Sequence, residues 1–155
     1  MMGRSLLVLG SLATVGLVAT SAVSYAGLDF TLHALLATVS SLLLLFSHCW
    51  IMFYLIGTGK AIKEAVAQHS LEAGLVAETR LFKARTFPAI LLAMGLLMAT
   101  FILGGGVYTH AVPGWIHHLL FWLTLVAQVR TLWLEQQVLL ANERLMAGID
   151  RRLRA

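Results

Sequence analysis

Charged residues are scarce in this sequence. Asp, Glu, Lys and Arg make up 12% of its 155 residues, whereas a soluble domain carries about 25%. Hydrophobic residues make up 59%, so the chain has too little polar surface to cover a water-soluble core. This composition predicts an integral membrane protein whose first partner is the lipid bilayer.

Cysteine is nearly absent as well, because Cys49 is the single one. One thiol excludes a disulfide within the chain and a zinc site built from several thiolates. The formal net charge is +4, but the basic residues lie between and after the apolar runs and form no single surface. We therefore expect them to set the membrane topology, and we predict no nucleic-acid partner.

The usual catalytic patterns are missing too. The sequence has no HExxH helix, no Ser, His and Asp set and no pair of neighbouring carboxylates. The run from Gly57 to Lys60 lacks the spacing of a phosphate-binding loop. We expect Glu135 to lie near the inner boundary, which leaves no carboxylate at mid-membrane for a proton relay. An enzymatic activity is therefore not expected.

Four apolar stretches are long enough to cross the hydrocarbon core as helices, which takes ~20 residues at ~1.5 Å each. They comprise residues 5–23, 32–56, 88–108 and 115–134. We expect a single all-α domain over 1–155, a bundle of four transmembrane helices. A helical hairpin over 57–87 and a C-terminal helix over 135–155 should extend spans two, three and four into the cytoplasm. Pro88 suits the first turn of span three, and no internal repeat is evident.

The first span has a second interpretation as a cleavable secretory signal. Arg4, the apolar run from Leu6 to Val18 and the small residues Ser24 and Ala26 fit that pattern. Cleavage would leave three spans. We expect the segment to be retained as the first helix of the bundle.

Lysine and arginine are distributed on one side of the predicted topology. The connections between spans one and two and between spans three and four contain neither residue, whereas the N-terminus, the hairpin over 57–87 and the C-terminal segment carry them. Loops rich in Lys and Arg stay in the cytoplasm. Both termini are therefore predicted to be cytoplasmic, in a bacterial inner (plasma) membrane.

Polar residues recur on one face of two spans. In span four they are His117, Thr124, Gln128, Thr131 and Glu135; in span two they are His33, Ser40, Ser41, Ser47 and His48. At ~100° per residue each set forms a stripe that should face the interior of the bundle. Such stripes either join helices by hydrogen bonds or present ligands to a cofactor.

Histidines near the outer ends of the spans form the candidate site. His33, His110, His117 and His118 are the predicted metal ligands, and His33, His117, His118 and His48 are the candidate haem-binding residues. His48 lies about 22 Å deeper than His33 at ~1.5 Å per residue, so it cannot share an iron with His117; a hydrogen-bonded core histidine is the simpler interpretation. Gly104, Gly105 and Gly106 offer either close helix packing or room for a flat cofactor.

The general pattern resembles in architecture the four-helix membrane cytochromes of the b type. The resemblance implies at most one outer haem, because His48 alone is available for a second, inner site. Our first hypothesis is a non-catalytic subunit or accessory protein of a larger membrane assembly, with other membrane subunits or a second copy as partners. The alternative is a b-type haem or metal-binding electron-transfer protein that uses the outer histidines.

Overall fold

The computed structural model describes residues 2–154, and these fold into four α-helices without a strand. The helices are α1 (Met2–Tyr25), α2 (Phe30–His69), α3 (Gly74–Tyr108) and α4 (Gly114–Arg154). Only short connections join them. The predicted all-α class is confirmed.

Three of the helices are long and apolar enough to cross a membrane: Ser5–Tyr25, Phe30–His69 and Gly74–Tyr108. The fourth predicted span, in α4, is not among these three apolar helices. His117, His118 and Gln128 interrupt its apolar residues. Together with Arg130, Glu135 and the charged C-terminal residues of the helix, these polar residues lower its average hydropathy below that of the other three helices.

The helices α2 and α3 continue well past the predicted spans. Helix α2 ends where Ser70 adopts a left-handed conformation (φ 52°) and its N–H bonds to the carbonyl of Val66. Helix α3 begins at Gly74, so the predicted hairpin over 57–87 is an extension of both helices. The prediction that Pro88 starts a helix is wrong, because Pro88 lies inside α3. Its missing N–H costs one hydrogen bond, and its ring faces outward, where it disturbs no helix contact.

Each helix packs against its neighbours in a square arrangement. Helix α1 lies against α2, α2 against α3, α3 against α4, and α4 against α1. Across the diagonals, α2 contacts α4, whereas α1 and α3 do not meet within residues 2–154. The centre of the bundle is therefore formed chiefly by the facing sides of α2 and α4.

The bundle has two distinct ends. One end, here called the histidine end, holds the connections 26–29 and 109–113 together with His33 and His117. The other, here called the basic end, carries Lys60, Lys83 and Arg144. Two buried apolar clusters, one around Leu44 and Leu97 and one around Ile51 and Ile90, lie inside the bundle.

Buried polar residues accompany these clusters, whereas many large hydrophobic residues are exposed. Thr124, Gln128, Thr131 and Glu135 are each at most 2% exposed, but Val126 is 67% exposed on the opposite face of the same helix. The predicted inward orientation of the polar stripe of α4 is thus confirmed for these residues. An apolar exterior around a partly polar interior suits a lipid environment.

Ser47 and Thr131, which correspond in the two hairpins α1–α2 and α3–α4, bond in the same way. His33, Ser40 and Ser47 are spaced by seven residues on α2, as are His117, Thr124 and Thr131 on α4. Ser47 donates to the carbonyl of Leu6 on α1, and Thr131 donates to that of Ala89 on α3. The sequence shows no repeat because few positions correspond and their residue types differ.

Candidate functional site

A cavity of about 200 Å³ lies at the histidine end and is lined by residues of all four helices. Its wall is largely apolar or small, with Leu17, Ala37, Leu97 and Phe121 among the lining residues. The wall also includes the imidazole rings of three histidines, His33, His117 and His118. The cavity therefore combines an apolar interior with a few nitrogen ligands.

His33 reaches the cavity from α2 in a fixed orientation. Its Nδ1 atom lies 3.1 Å from the carbonyl oxygen of Thr20 on α1. A carbonyl can only accept a hydrogen bond, so Nδ1 carries the hydrogen and the lone pair of the neutral ring is on Nε2. Within residues 2–154 no hydrogen bond engages this Nε2 atom.

His117 repeats the arrangement from the diagonal helix α4. Its Nδ1 atom donates to the carbonyl oxygen of Thr100 on α3 over 3.1 Å. A Cβ atom at Gly104 would lie 3.1 Å from Cε1 of His117, so Gly104 leaves space for this ring. Gly105 also lines the cavity, and a Cβ atom there would meet no atom within 4 Å. Gly104 thus serves the histidine and Gly105 widens the cavity, whereas a Cβ atom at Gly106 would lie 3.0 Å from Cγ2 of Val112.

The other two outer histidines are exposed, and of these two His118 lines the cavity. His118 is exposed and stacks on Tyr25 at 5.5 Å. His110 is an exposed turn residue with φ 60° and does not line the cavity. Within residues 2–154 no three His, Cys, Asp or Glu side chains are grouped to hold a metal ion. The geometry thus gives no support to the predicted four-histidine metal site, and it retains the pair of His33 and His117.

His48 belongs to a separate, fully buried polar network between α2 and α4. Its Nδ1 atom lies 2.6 Å from Oε1 of Glu135, and its Nε2 atom lies 2.8 Å from Oε1 of Gln128. The amide nitrogen of Gln128 donates in turn to the carbonyl of Ala93 on α3 over 3.5 Å. This last contact orients Gln128 so that its oxygen faces His48.

These contacts assign the hydrogens of the network. Nε2 of His48 carries a hydrogen because the oxygen of Gln128 only accepts. A second proton lies between Nδ1 of His48 and Oε1 of Glu135, whose 2.6 Å separation indicates a strong, charge-assisted hydrogen bond. The two residues together are uncharged whichever atom holds that proton, and this neutrality allows their burial.

Sequence reasoning missed the role of Glu135. It was expected near the inner boundary, and its side chain is completely buried against His48. Its position on the polar stripe of α4 was the available signal. The pairing itself depends on the contact between α2 and α4, which the sequence does not reveal.

No protein-family model, curated protein or solved structure matches this chain. The interpretation of the site therefore depends on its own geometry. That geometry offers two separate features, a cavity of about 200 Å³ with two oriented histidines and a buried pair that shares a proton.

Proposed function

We propose that this protein is a membrane electron-transfer subunit that binds one haem of the b type in the cavity at the histidine end. The observation that supports the proposal is the pair of imidazoles, His33 and His117, on diagonal helices. In each ring Nδ1 is held by a backbone carbonyl, and Nε2 keeps its lone pair. Metal-ligating histidines typically donate their other N–H to such a carbonyl, which fixes the tautomer and orients the ring.

The surroundings of the pair also favour a flat, apolar cofactor. Aliphatic and aromatic side chains such as Leu17, Leu97 and Phe121 share the wall with Ser and Thr residues, and Gly105 leaves space beside the rings. His33 and His117, each bonded to a backbone carbonyl of the other helix in its own hairpin, are the residues that would ligate the haem iron. A bare metal ion is less favoured, because two nitrogen ligands do not complete the coordination that common structural metals adopt.

A second candidate function is that of a non-catalytic accessory subunit in a larger membrane assembly or a homo-oligomer. The cavity volume favours it, since about 200 Å³ is below the roughly 300–1,000 Å³ of most ligand pockets. A haem would therefore have to displace side chains of the wall. If this protein is such an accessory subunit, His33 and His117 act only as hydrogen-bonded links between helices.

The test is the absorption spectrum of the full chain, purified in mild detergent from membranes with an ample haem supply. We expect a Soret band and one haem per chain by pyridine haemochrome assay. His33→Ala and His117→Ala should each abolish both signals. His69→Ala, at an exposed position at the end of α2, is the matched control and should retain them.

Two outcomes would contradict the haem proposal. A wild-type protein without Soret absorbance would favour the accessory subunit. Full haem content with an unchanged spectrum in His33→Ala would show that this histidine is no ligand.

We further propose that α4 spans the membrane with the other three helices and that the basic end is cytoplasmic. Support comes from the antiparallel contacts of α4 with α3 and from the absence of Lys and Arg between α1 and α2 and between α3 and α4. With Cys49 replaced by Ala, Leu28→Cys and Ala111→Cys should react with an impermeant thiol reagent outside intact cells. Gly74→Cys should react only after permeabilisation. Reaction of Gly74→Cys in intact cells would reverse the orientation.

A further inference from the structure

A lysine ammonium group lies between helices α2 and α3 near the basic end. Nζ of Lys83 on α3 is 3.2 Å from the position that a Cβ atom would take at Gly59 on α2, and Oγ1 of Thr79 is 3.6 Å from that position. Lys83 is half-buried. The missing side chain of Gly59 therefore leaves the space in which this positive charge lies.

Two more basic residues lie beside this ammonium group. Lys63 follows Gly59 by one turn of α2, and Arg80 precedes Lys83 by three residues on α3. At ~100° per residue, each points within about 60° of the residue to which it is compared. Both side chains are exposed. Lys63, Arg80 and Lys83, here called the basic cluster, thus share one face of the α2–α3 hairpin.

The basic cluster has no carboxylate partner within residues 2–154, since none of its three side chains forms an ion pair there. Glu64 pairs with Lys60 over 3.8 Å. Glu78 lies two residues before Arg80, so it points roughly 160° away from it around α3. The three positive charges are therefore available to an anion from outside the described part of the chain.

The same face becomes apolar in the direction of the histidine end. On α2, Phe53 and Ile56 precede Lys63 by ten and seven residues and are 68% and 46% exposed. On α3, Leu91 follows Lys83 by eight residues and is 58% exposed. These spacings return to within roughly 80° of the same direction. Phe53, Ile56 and Leu91, here called the apolar half, thus continue the face of the basic cluster.

The change from apolar to basic residues falls where the surface of a bilayer would lie. Helices α2 and α3 are both long and apolar enough to cross a membrane. Lys63 lies seven residues beyond Ile56, which is about 10 Å at ~1.5 Å per residue. The headgroup layer adds roughly 5–8 Å to each side of the hydrocarbon core, and a lysine side chain is long enough to turn back into it.

We propose that this face binds an anionic phospholipid, with the headgroup phosphate on the basic cluster and an acyl chain along the apolar half. Ammonium and guanidinium groups donate charge-assisted hydrogen bonds to phosphate oxygens. Basic residues next to a membrane span select anionic lipids in particular. A free phosphate would use the basic cluster alone, whereas a lipid also covers the adjoining apolar half. The site requires only that α2 and α3 cross the bilayer, so it is independent of haem in the outer cavity.

The test is native mass spectrometry of the full-length protein in mild detergent, titrated separately with phosphatidylglycerol and phosphatidylcholine that carry the same acyl chains. The wild type should bind its first phosphatidylglycerol at least tenfold more tightly than phosphatidylcholine. Each basic residue near an anionic lipid surface changes the affinity about fivefold. The combined variant Lys63→Gln, Arg80→Gln and Lys83→Gln should therefore reduce the preference to less than twofold.

The matched control is the combined variant Arg151→Gln, Arg152→Gln and Arg154→Gln. It removes the same charge from the exposed last turn of α4 and should keep the preference for phosphatidylglycerol. Far-UV circular dichroism shows in each variant whether the helices remain folded. In a further arm, inorganic phosphate in large excess should leave lipid binding unchanged relative to acetate at the same ionic strength.

Any of three results would overturn the proposal. Equal affinity of the wild type for the two lipids would show that the face does not select an anionic headgroup. An equal loss of preference in the two combined variants would show that net charge alone is responsible. Displacement of phosphatidylglycerol by inorganic phosphate would indicate a site for free phosphate instead of a lipid.

Discussion

Replacing the two members of the buried pair, singly and together, tests their coupling most directly. His48→Leu leaves the carboxyl of Glu135 and the oxygen of Gln128 unpaired inside the bundle, and breaking such a pair costs about 3–5 kcal/mol. Glu135→Leu costs less, about 1–3 kcal/mol, because His48 can release the shared proton and still donate from Nε2 to Gln128. The double variant leaves only the oxygen of Gln128 without its partner, again about 1–3 kcal/mol.

The free energies of unfolding should therefore be strongly non-additive. The sum of the single variants is about 4–8 kcal/mol and the double variant costs about 1–3 kcal/mol, so the double variant should be more stable than that sum by at least ~1 kcal/mol. The measurement is unfolding in mixed micelles with increasing SDS, followed by far-UV circular dichroism. Additive single variants would refute the shared-proton pair.

The ion pair of Lys60 and Glu64 supplies a matched control for the cycle. Its atoms are 3.8 Å apart, and its side chains are 77% and 59% exposed. An exposed i,i+4 pair contributes only about 0.3–0.5 kcal/mol. The same double-mutant cycle at these positions should therefore show little coupling, and a large value there would mean that the assay does not isolate pairwise terms.

The remaining predictions concern helix packing. Gly16→Ala should destabilise the bundle, because a Cβ there would collide with the hydroxyl of Ser40, whereas Gly57→Ala meets no atom within 4 Å and should raise stability by up to about 1 kcal/mol through helix propensity. Equal effects at the two glycines in SDS unfolding would contradict the close contact of α1 with α2. Gln128→Leu should lower stability by about 1–3 kcal/mol, since it leaves Nε2–H of His48 unpaired; Val126→Leu, on the exposed face, should change it little. A tolerated Gln128→Leu would contradict the assigned network.

Much of the candidate site could be predicted from the sequence only as a list of candidate residues, without their contacts. The sequence indicates that His33 and His117 lie at one end, because depth follows from helix rise alone. It does not indicate that Thr20 and Thr100 orient their rings, because those carbonyls come from other helices. His48 was expected to be a hydrogen-bonded core residue, and the structure shows this, but its partner Glu135 was placed at the boundary.

The sequence by itself determined the helical class, the apolar exterior and the inward face of α4. These properties are local, since they follow from the length of apolar runs and from the angular spacing of polar residues along one helix. Only the tertiary structure decided that α2 and α4 meet across the bundle, that α3 continues through Pro88, and that Glu135 lies against His48. Each of these depends on which helices are neighbours and on their axial register, and side-chain packing across the whole bundle sets both.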